Sequence, residues 1–143
     1  MSACVSKKGG IGVYVANLIK ELSQIDDHNR YILLHIFFKK KVEIFEKNTF
    51  PTNFSSRGYR LPWRIISKLC LKFGFPTIEF LAGEMDVFHS TSHFHWPQKK
   101  GKKLATVHDL IIFKMPHLFP SQWRQFYEES ISKIIFNKLS SFF

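Results

Sequence analysis

Between Ile11 and Phe38 the hydrophobic period changes once, and that change restricts the fold more than any other stretch of the 143 residues. Ile11, Val15, Leu18, Leu22 and Ile25 recur at alternating four- and three-residue steps, while Lys20, Glu21, Ser23 and Gln24 lie off that stripe. This spacing predicts an amphipathic helix that buries one face against a sheet. Asp26-Asp27-His28-Asn29 ends it. Tyr31–Phe38 follows as a run of aromatic, β-branched and leucine side chains, interrupted by His35. A run of that kind predicts a strand.

The same alternation continues along the chain. Lys39–Thr49 is mixed and basic, with a short candidate element at Val42–Phe45, and Pro51–Gly58 reads as loop. Tyr59–Leu61 is a candidate short strand. Trp63–Phe73 reads as a helix with Pro62 in its first turn, closed by Gly74 and Pro76. Thr77–Leu81 begins another helix, and Asp86–His89 forms a short strand ahead of the polar and aromatic loop Ser90–Pro97. Leu104–Val107, bounded by Gly101 and Lys102-Lys103, reads as a buried strand that ends on His108-Asp109. A last helix starts near Ser121, a candidate N-cap, and sets Trp123, Tyr127, Ile131 and Ile134 on one face. Strands alternating with helices predict an α/β fold with a mostly parallel sheet and flanking helices.

Composition narrows the partners. Hydrophobic residues make up 45% of the chain, which fits a folded domain and argues against disorder. The formal net charge is +10, from 21 Lys and Arg against 11 Asp and Glu. That excess suggests nucleic acid, an acidic membrane surface or a phosphorylated ligand, and a solvated basic surface explains it equally well. Cys4 and Cys70 have no metal-ligand spacing and read as reduced thiols of a cytosolic protein. Lys7, Lys8, Gly9 and Gly10 interrupt any apolar signal core. The apolar stretches fall short of the roughly 18 residues of a membrane span, so membrane contact is expected to be peripheral.

Four groups of residues could carry chemistry, and each has a plainer reading. Gly9-Gly10-Ile11-Gly12 opens a helix, where backbone amides and the helix dipole favour a phosphate or carboxylate. It is neither GxGxxG nor GxxxxGK[ST], and a simple tight turn explains it equally. His108 and Asp109 stand where a strand ends, the place where open α/β sheets bind ligands. A histidine there can bond a ligand hydroxyl or polarise a reacting group. The plainer reading is a histidine on nearby backbone and an aspartate capping a turn. His93-x-His95, with His89, could chelate zinc, but no cysteine pair or acidic motif completes a ligand set. The lysines at 39–41, 99–100 and 102–103, with Phe94 and Trp96 nearby, suit a single-stranded nucleic-acid groove. No nucleic-acid-binding signature accompanies them.

Five of these stretches come in a familiar order. Gly9-Gly10-Ile11-Gly12-Val13-Tyr14-Val15 running on to Leu22, Asn29-Arg30-Tyr31, Asp86-Val87-Phe88-His89-Ser90, Val107-His108-Asp109-Leu110 and Phe119-Pro120-Ser121-Gln122-Trp123-Arg124 resemble the N-terminal half of family 4 (group 1) glycosyltransferases. The resemblance runs from about Gly9 to Ile135. It implies a GT-B enzyme, with two Rossmann-like domains facing across a cleft. Such an enzyme moves a hexose-type sugar from a nucleotide sugar to a glycan or lipid-linked acceptor, usually with retention and without a bound metal or other cofactor. The resemblance places residues 1–143 as one acceptor-side domain, with the nucleotide-binding C-terminal domain lying elsewhere.

Carried over position by position, Gly9, Gly10 and Gly12 would form the loop facing the donor diphosphate and the acceptor. His108 would position a hydroxyl of the transferred sugar, with Asp109 beside it as orienter or loop support. Ser90, Thr91 and His93 would line the acceptor side. Such enzymes begin with a central strand, and Met1–Lys8 is short and polar for that role. The expectation is therefore a domain incomplete at both ends, the product of a split or frameshifted gene or one half of a two-chain enzyme, inactive by itself. It would work at the cytoplasmic face of the inner membrane in surface polysaccharide, lipopolysaccharide or glycolipid assembly. Two other readings make different predictions. A non-catalytic module that binds a partner chain or phosphorylated ligand would stay inactive with a donor half supplied. A basic nucleic-acid-binding domain would bind oligonucleotide with a steep salt dependence.

Overall fold

The computed structural model describes residues 9–37, 50–92 and 94–139. Helix α1 (Gly10–Ile25) precedes strands β1 (Tyr31–Phe37) and β2 (Phe54–Arg60). Helices α2 (Trp63–Phe73) and α3 (Ile78–Ala82) lead to strands β3 (Val87–Ser90) and β4 (Lys102–Ala105). Helix α4 (Ile111–Lys114), a 3₁₀ turn at Pro116–Leu118 and helix α5 (Ser121–Leu139) close the order. The fold is mixed α/β. Its described strands form two two-stranded sheets, and both are parallel.

The continuous apolar run of β1 follows from burial on both faces. Leu33 packs with Val15 and Ile19 of α1. Leu34 and Ile36, pointing the other way, join Ile66 and Cys70 of α2, Ile78 and Leu81 of α3, Phe88 of β3, and Phe94 and Trp96. Strands from both sheets therefore share one core. On α1 the buried line is Gly12, Val15 and Ile19. Ile11 and Ile25, at the ends of the predicted stripe, are exposed.

Several boundaries differ from the sequence reading. Strand β2 occupies Phe54–Arg60, most of which reads as loop, because its central residues Ser55–Gly58 face solvent at a sheet edge. Polar side chains cost little on such a strand. Arg57 Nη1 donates to the Ala82 carbonyl at 2.9 Å, and the Tyr59 hydroxyl donates to the Leu81 carbonyl, tying the strand to α3. Strand β4 starts two residues earlier than predicted, since its register pairs Val87 with Lys102 and Ser90 with Ala105. It is not a buried strand: Leu104 is 53% exposed.

Helix α2 has the predicted bounds, but Pro62 sits at the N-cap and Gly74 at the C-cap with φ 65°. In α5 the first helical bonds run to the Pro120 carbonyl, from Trp123 and Arg124. Pro120 therefore caps that helix and Ser121 lies inside it. Its buried face is Ser130 and Ile131, with Phe126 packed on the core, while Trp123 is exposed. The segment Phe94–Pro97 is buried throughout, although it forms no regular element. Phe94 stacks on Phe126, and Trp96 meets Phe94 edge to face. Met1–Lys8, Val42–Phe45 and the lysines at 39–41 lie outside the described residues.

Candidate functional site

The amino end of α1 and the carboxyl ends of β3 and β4 come together in one place. Gly9 is the N-cap of α1 in extended conformation, with no side chain capping the first turn and no acidic residue in it. Among the described residues, no side chain takes up the first-turn amides, which suit a solvent or anionic partner. Among the described residues, a Cβ placed on Gly9 or Gly10 would meet nothing within 4 Å. Gly12, inside α1, is buried.

One turn into α1, the Tyr14 ring meets the His108 ring edge to face, with centroids 5.1 Å apart. The Tyr14 hydroxyl lies 3.4 Å from Thr106 Oγ1, which is 2.8 Å from His89 Nε2. Tyr14, Thr106, His89 and His108 thus join α1 to the ends of β3 and β4. Desolvation holds the His89 imidazole below its ordinary pKa, which favours the neutral ring.

His108 is exposed, and its Nε2 lies 2.9 Å from the Thr91 carbonyl. A carbonyl only accepts, so Nε2 carries the proton and donates. In the neutral ring Nδ1 is then the acceptor that a ligand hydroxyl can meet. Asp109 Oδ1 accepts from the Ile111 amide at 3.2 Å, an Asx-type cap on the short helix α4. Tyr127 has a raised pKa, through desolvation first and the nearby Asp109 charge second.

The remaining candidates are placed differently. Ser90 is buried, and its hydroxyl is shared between the carbonyls of Ser92 and Phe94, both at 3.0 Å. It braces the β3–β4 loop. Thr91 is fully buried, and its carbonyl anchors His108. His93 lies outside the described residues. His95 is buried away from His89, beside Cys70, Thr77, Gln98 and Lys133 along a cleft of about 390 Å³. Burial lowers its pKa to about 4. Among the described residues the one grouping with metal-binding geometry is Asp26, Asp27 and His28, which does not include the histidines of the zinc reading.

The aromatic pair of the nucleic-acid reading is buried. Phe94 and Trp96 are each 2% exposed and belong to the core, so neither offers a face for a base to stack on. Lys100 pairs with Glu84 at 2.8 Å, and Lys103 donates inward to the Trp96 carbonyl at 2.5 Å. Burial lowers the Lys103 pKa to about 8. Cys70 is a free, buried thiol, pushed up to about 11 by desolvation. No helix of the described residues is long and apolar enough to cross a membrane.

Sequence reasoning missed Tyr14 and Thr106. Both belong to stretches singled out for other residues, and only tertiary structure brings them beside His108. No protein-family model, curated protein or solved structure matches the chain.

Proposed function

We propose that this chain forms the acceptor side of a GT-B glycosyltransferase of the family 4 type. It would transfer a hexose-type sugar from a nucleotide sugar to a glycan or lipid-linked acceptor in surface polysaccharide or glycolipid assembly. The observation that carries this reading is the meeting of the Gly9–Gly10 turn with His108, through the Tyr14 ring at the carboxyl ends of two parallel strands. In an α/β sheet that end is where ligands bind.

The roles follow from the chemistry available. The uncapped amides at the start of α1 supply partial positive charge where a leaving diphosphate gathers negative charge. His108 Nδ1 accepts from a hydroxyl of the transferred sugar and holds it in register. Asp109 shapes the α4 turn behind it. The nucleotide itself falls to a second Rossmann-like unit, supplied by another domain or chain. The assembled enzyme would work on the cytoplasmic side, against the inner membrane.

The test supplies the donor half. Reading the DNA on both sides of the frame identifies candidate partners, and co-expression with them is followed by a radiolabelled nucleotide-sugar transfer assay. Transfer that depends on both chains and collapses in His108→Ala supports the reading. No transfer with any flanking-encoded half, or transfer indifferent to His108, overturns it.

A further inference from the structure

Thr106 stands between two strands and a helix. Its amide donates to the Ser90 carbonyl at 2.9 Å, which carries the parallel pairing of β3 and β4 one residue past Ala105. The sheet thus fixes the Thr106 backbone. The hydroxyl is held as well, since Oγ1 lies 2.8 Å from Nε2 of His89 on β3. On its other side the same Oγ1 lies 3.4 Å from the Tyr14 hydroxyl on α1, a contact across 92 positions of sequence.

Both contacts can be hydrogen bonds at once, whichever tautomer the neutral His89 ring adopts. If Nε2 carries the proton, it donates to Thr106 Oγ1, and the Thr106 hydroxyl donates to Tyr14. If Nε2 is bare, Thr106 donates to it, and the Tyr14 hydroxyl donates to Thr106. The chain from β3 through β4 to α1 therefore closes in either sense.

The Tyr14 ring completes the link by meeting the His108 imidazole edge to face, with centroids 5.1 Å apart. The bond from His108 Nε2 to the Thr91 carbonyl holds one atom of that exposed imidazole. One bond leaves a ring able to swing about the bonded atom, and an aromatic ring packed edge to face opposes the swing. Tyr14 needs an anchor in turn, because it is 37% exposed and its α1 neighbours Ile11 and Val13 also face solvent. We infer that Thr106 is a positioning residue of the candidate site: its hydroxyl anchors the Tyr14 ring, and that ring sets the plane of the His108 imidazole. The inference rests on the sugar-transfer reading for what His108 then does, since a fixed plane aims Nδ1 at the sugar hydroxyl. The plainer role, bracing β4 on β3, uses the Thr106 backbone bond and the His89 contact and gives the Tyr14 hydroxyl no part.

Nuclear magnetic resonance of the full chain tests the link without any sugar transfer, because the Tyr14 ring current displaces the ring-proton signals of His108. Tyr14→Leu removes the ring and marks the undisplaced positions. Tyr14→Phe keeps the ring and removes its hydroxyl, and Thr106→Val removes the other hydroxyl at nearly the same shape. Each of these two should move the His108 signals at least halfway to their Tyr14→Leu positions, and Thr106→Ser should leave them at the parent's. The double variant, Thr106→Val with Tyr14→Phe, should move them no further than either single change, since both remove one shared bond. In a reconstituted transferase Thr106→Val should lower turnover about fivefold, the scale of one neutral hydrogen bond, and Thr106→Ser should restore it. Tyr14→Phe carries the test where Thr106→Val does not fold, because it alters a side chain at the surface. His108 signals that stay in place overturn the inference, as do additive displacements in the double variant, or displaced signals with unchanged turnover. Displacement as expected, in a parent that transfers no sugar with any donor half, upholds the link and fails the sugar-transfer reading.

Discussion

The His108 ring donates from Nε2 to the Thr91 carbonyl at 2.9 Å, and this bond ties the loop after β4 to the loop after β3. It also selects the tautomer, leaving Nδ1 to face a ligand. His108 stands at the surface, so removing the ring should cost the fold less than about 1 kcal/mol. In a reconstituted transferase, His108→Ala is expected to lower turnover about a hundredfold, the usual scale for one positioned polar contact at a reacting centre. Steady-state kinetics beside a thermal melt checks both halves. A large loss of melting temperature would reassign His108 to a structural role.

Gly10 offers a variant that separates folding from ligand approach. It is the first residue of α1, and a Cβ there meets nothing among the described residues. Gly10→Ala removes backbone freedom from the unfolded chain and should raise stability by up to about 1 kcal/mol. The same methyl narrows the approach to the glycine turn that the proposed function assigns to the diphosphate. Sugar transfer should fall at least tenfold while the melting temperature holds or rises. Unchanged transfer would show that nothing approaches this turn closely.

Gly101 answers a different question, how β4 is aimed. Its φ is 77°, and a Cβ there would run into the carbonyl oxygens of Met85 and Asp86. The next residue, Lys102, starts β4 by donating its amide to the Asp86 carbonyl at 2.7 Å. Gly101→Ala should therefore cost about 2–3 kcal/mol, from left-handed strain plus the clash. Gly74 also has a left-handed φ, of 65°, but open space around it. Gly74→Ala should cost only about 1 kcal/mol. Denaturant unfolding of the two variants gives the comparison, and equal losses would remove the clash from the account.

The legible parts of the sequence were those where local chemistry and tertiary environment agree. Helix α2 lies between Pro62 and Gly74, and both act within a few residues of themselves. Strand β1 shows as an apolar run because α1 covers one face and α2 the other. Strand β2 was illegible for the opposite reason: Ser55–Gly58 lie at an exposed edge, where nothing selects for apolar side chains. The burial of Phe94–Pro97 was hidden because an irregular segment has no period to detect. At the candidate site, Gly9, Gly10 and His108 stood out as unusual residues at turns. Tyr14 and Thr106 did not, since an ordinary tyrosine and threonine become notable only through neighbours 94 and 92 positions away.

Ser130 is fully buried on α5, and its hydroxyl has no hydrogen-bond partner among the described residues. A buried hydroxyl left without a partner has lost its water without replacement. Ser130→Ala should therefore raise stability by about 1 kcal/mol, helped by the better helix propensity of alanine. A destabilised variant, seen as an earlier urea midpoint, would point to a bound water or a bond formed by that hydroxyl.

Asp26, at the C-cap of α1, carries the clearest pH dependence of stability. Its carboxylate accepts from the Tyr31 hydroxyl, the Asn29 side chain at 2.7 Å, and the amides of His28 and Asn29, both at 3.0 Å. These bonds, the Tyr31 hydroxyl first, hold the carboxyl far below its ordinary range. The same bond pushes the Tyr31 phenol up to about 12. A carboxyl depressed in the folded state binds its proton first in the unfolded chain. Its contribution is therefore fully present above the unfolded value near pH 4 and is lost as pH falls toward the folded value. Tyr31 acts at the other end, since its neutral form is favoured by folding, so its contribution is lost between about pH 10 and 12. Asp26→Asn should melt earlier than the parent at pH 7, and the gap should shrink steadily below pH 4. Thermal melts of both proteins from pH 2 to 7 decide it, because a gap that stays constant across that range would mean the charge on Asp26 contributes nothing.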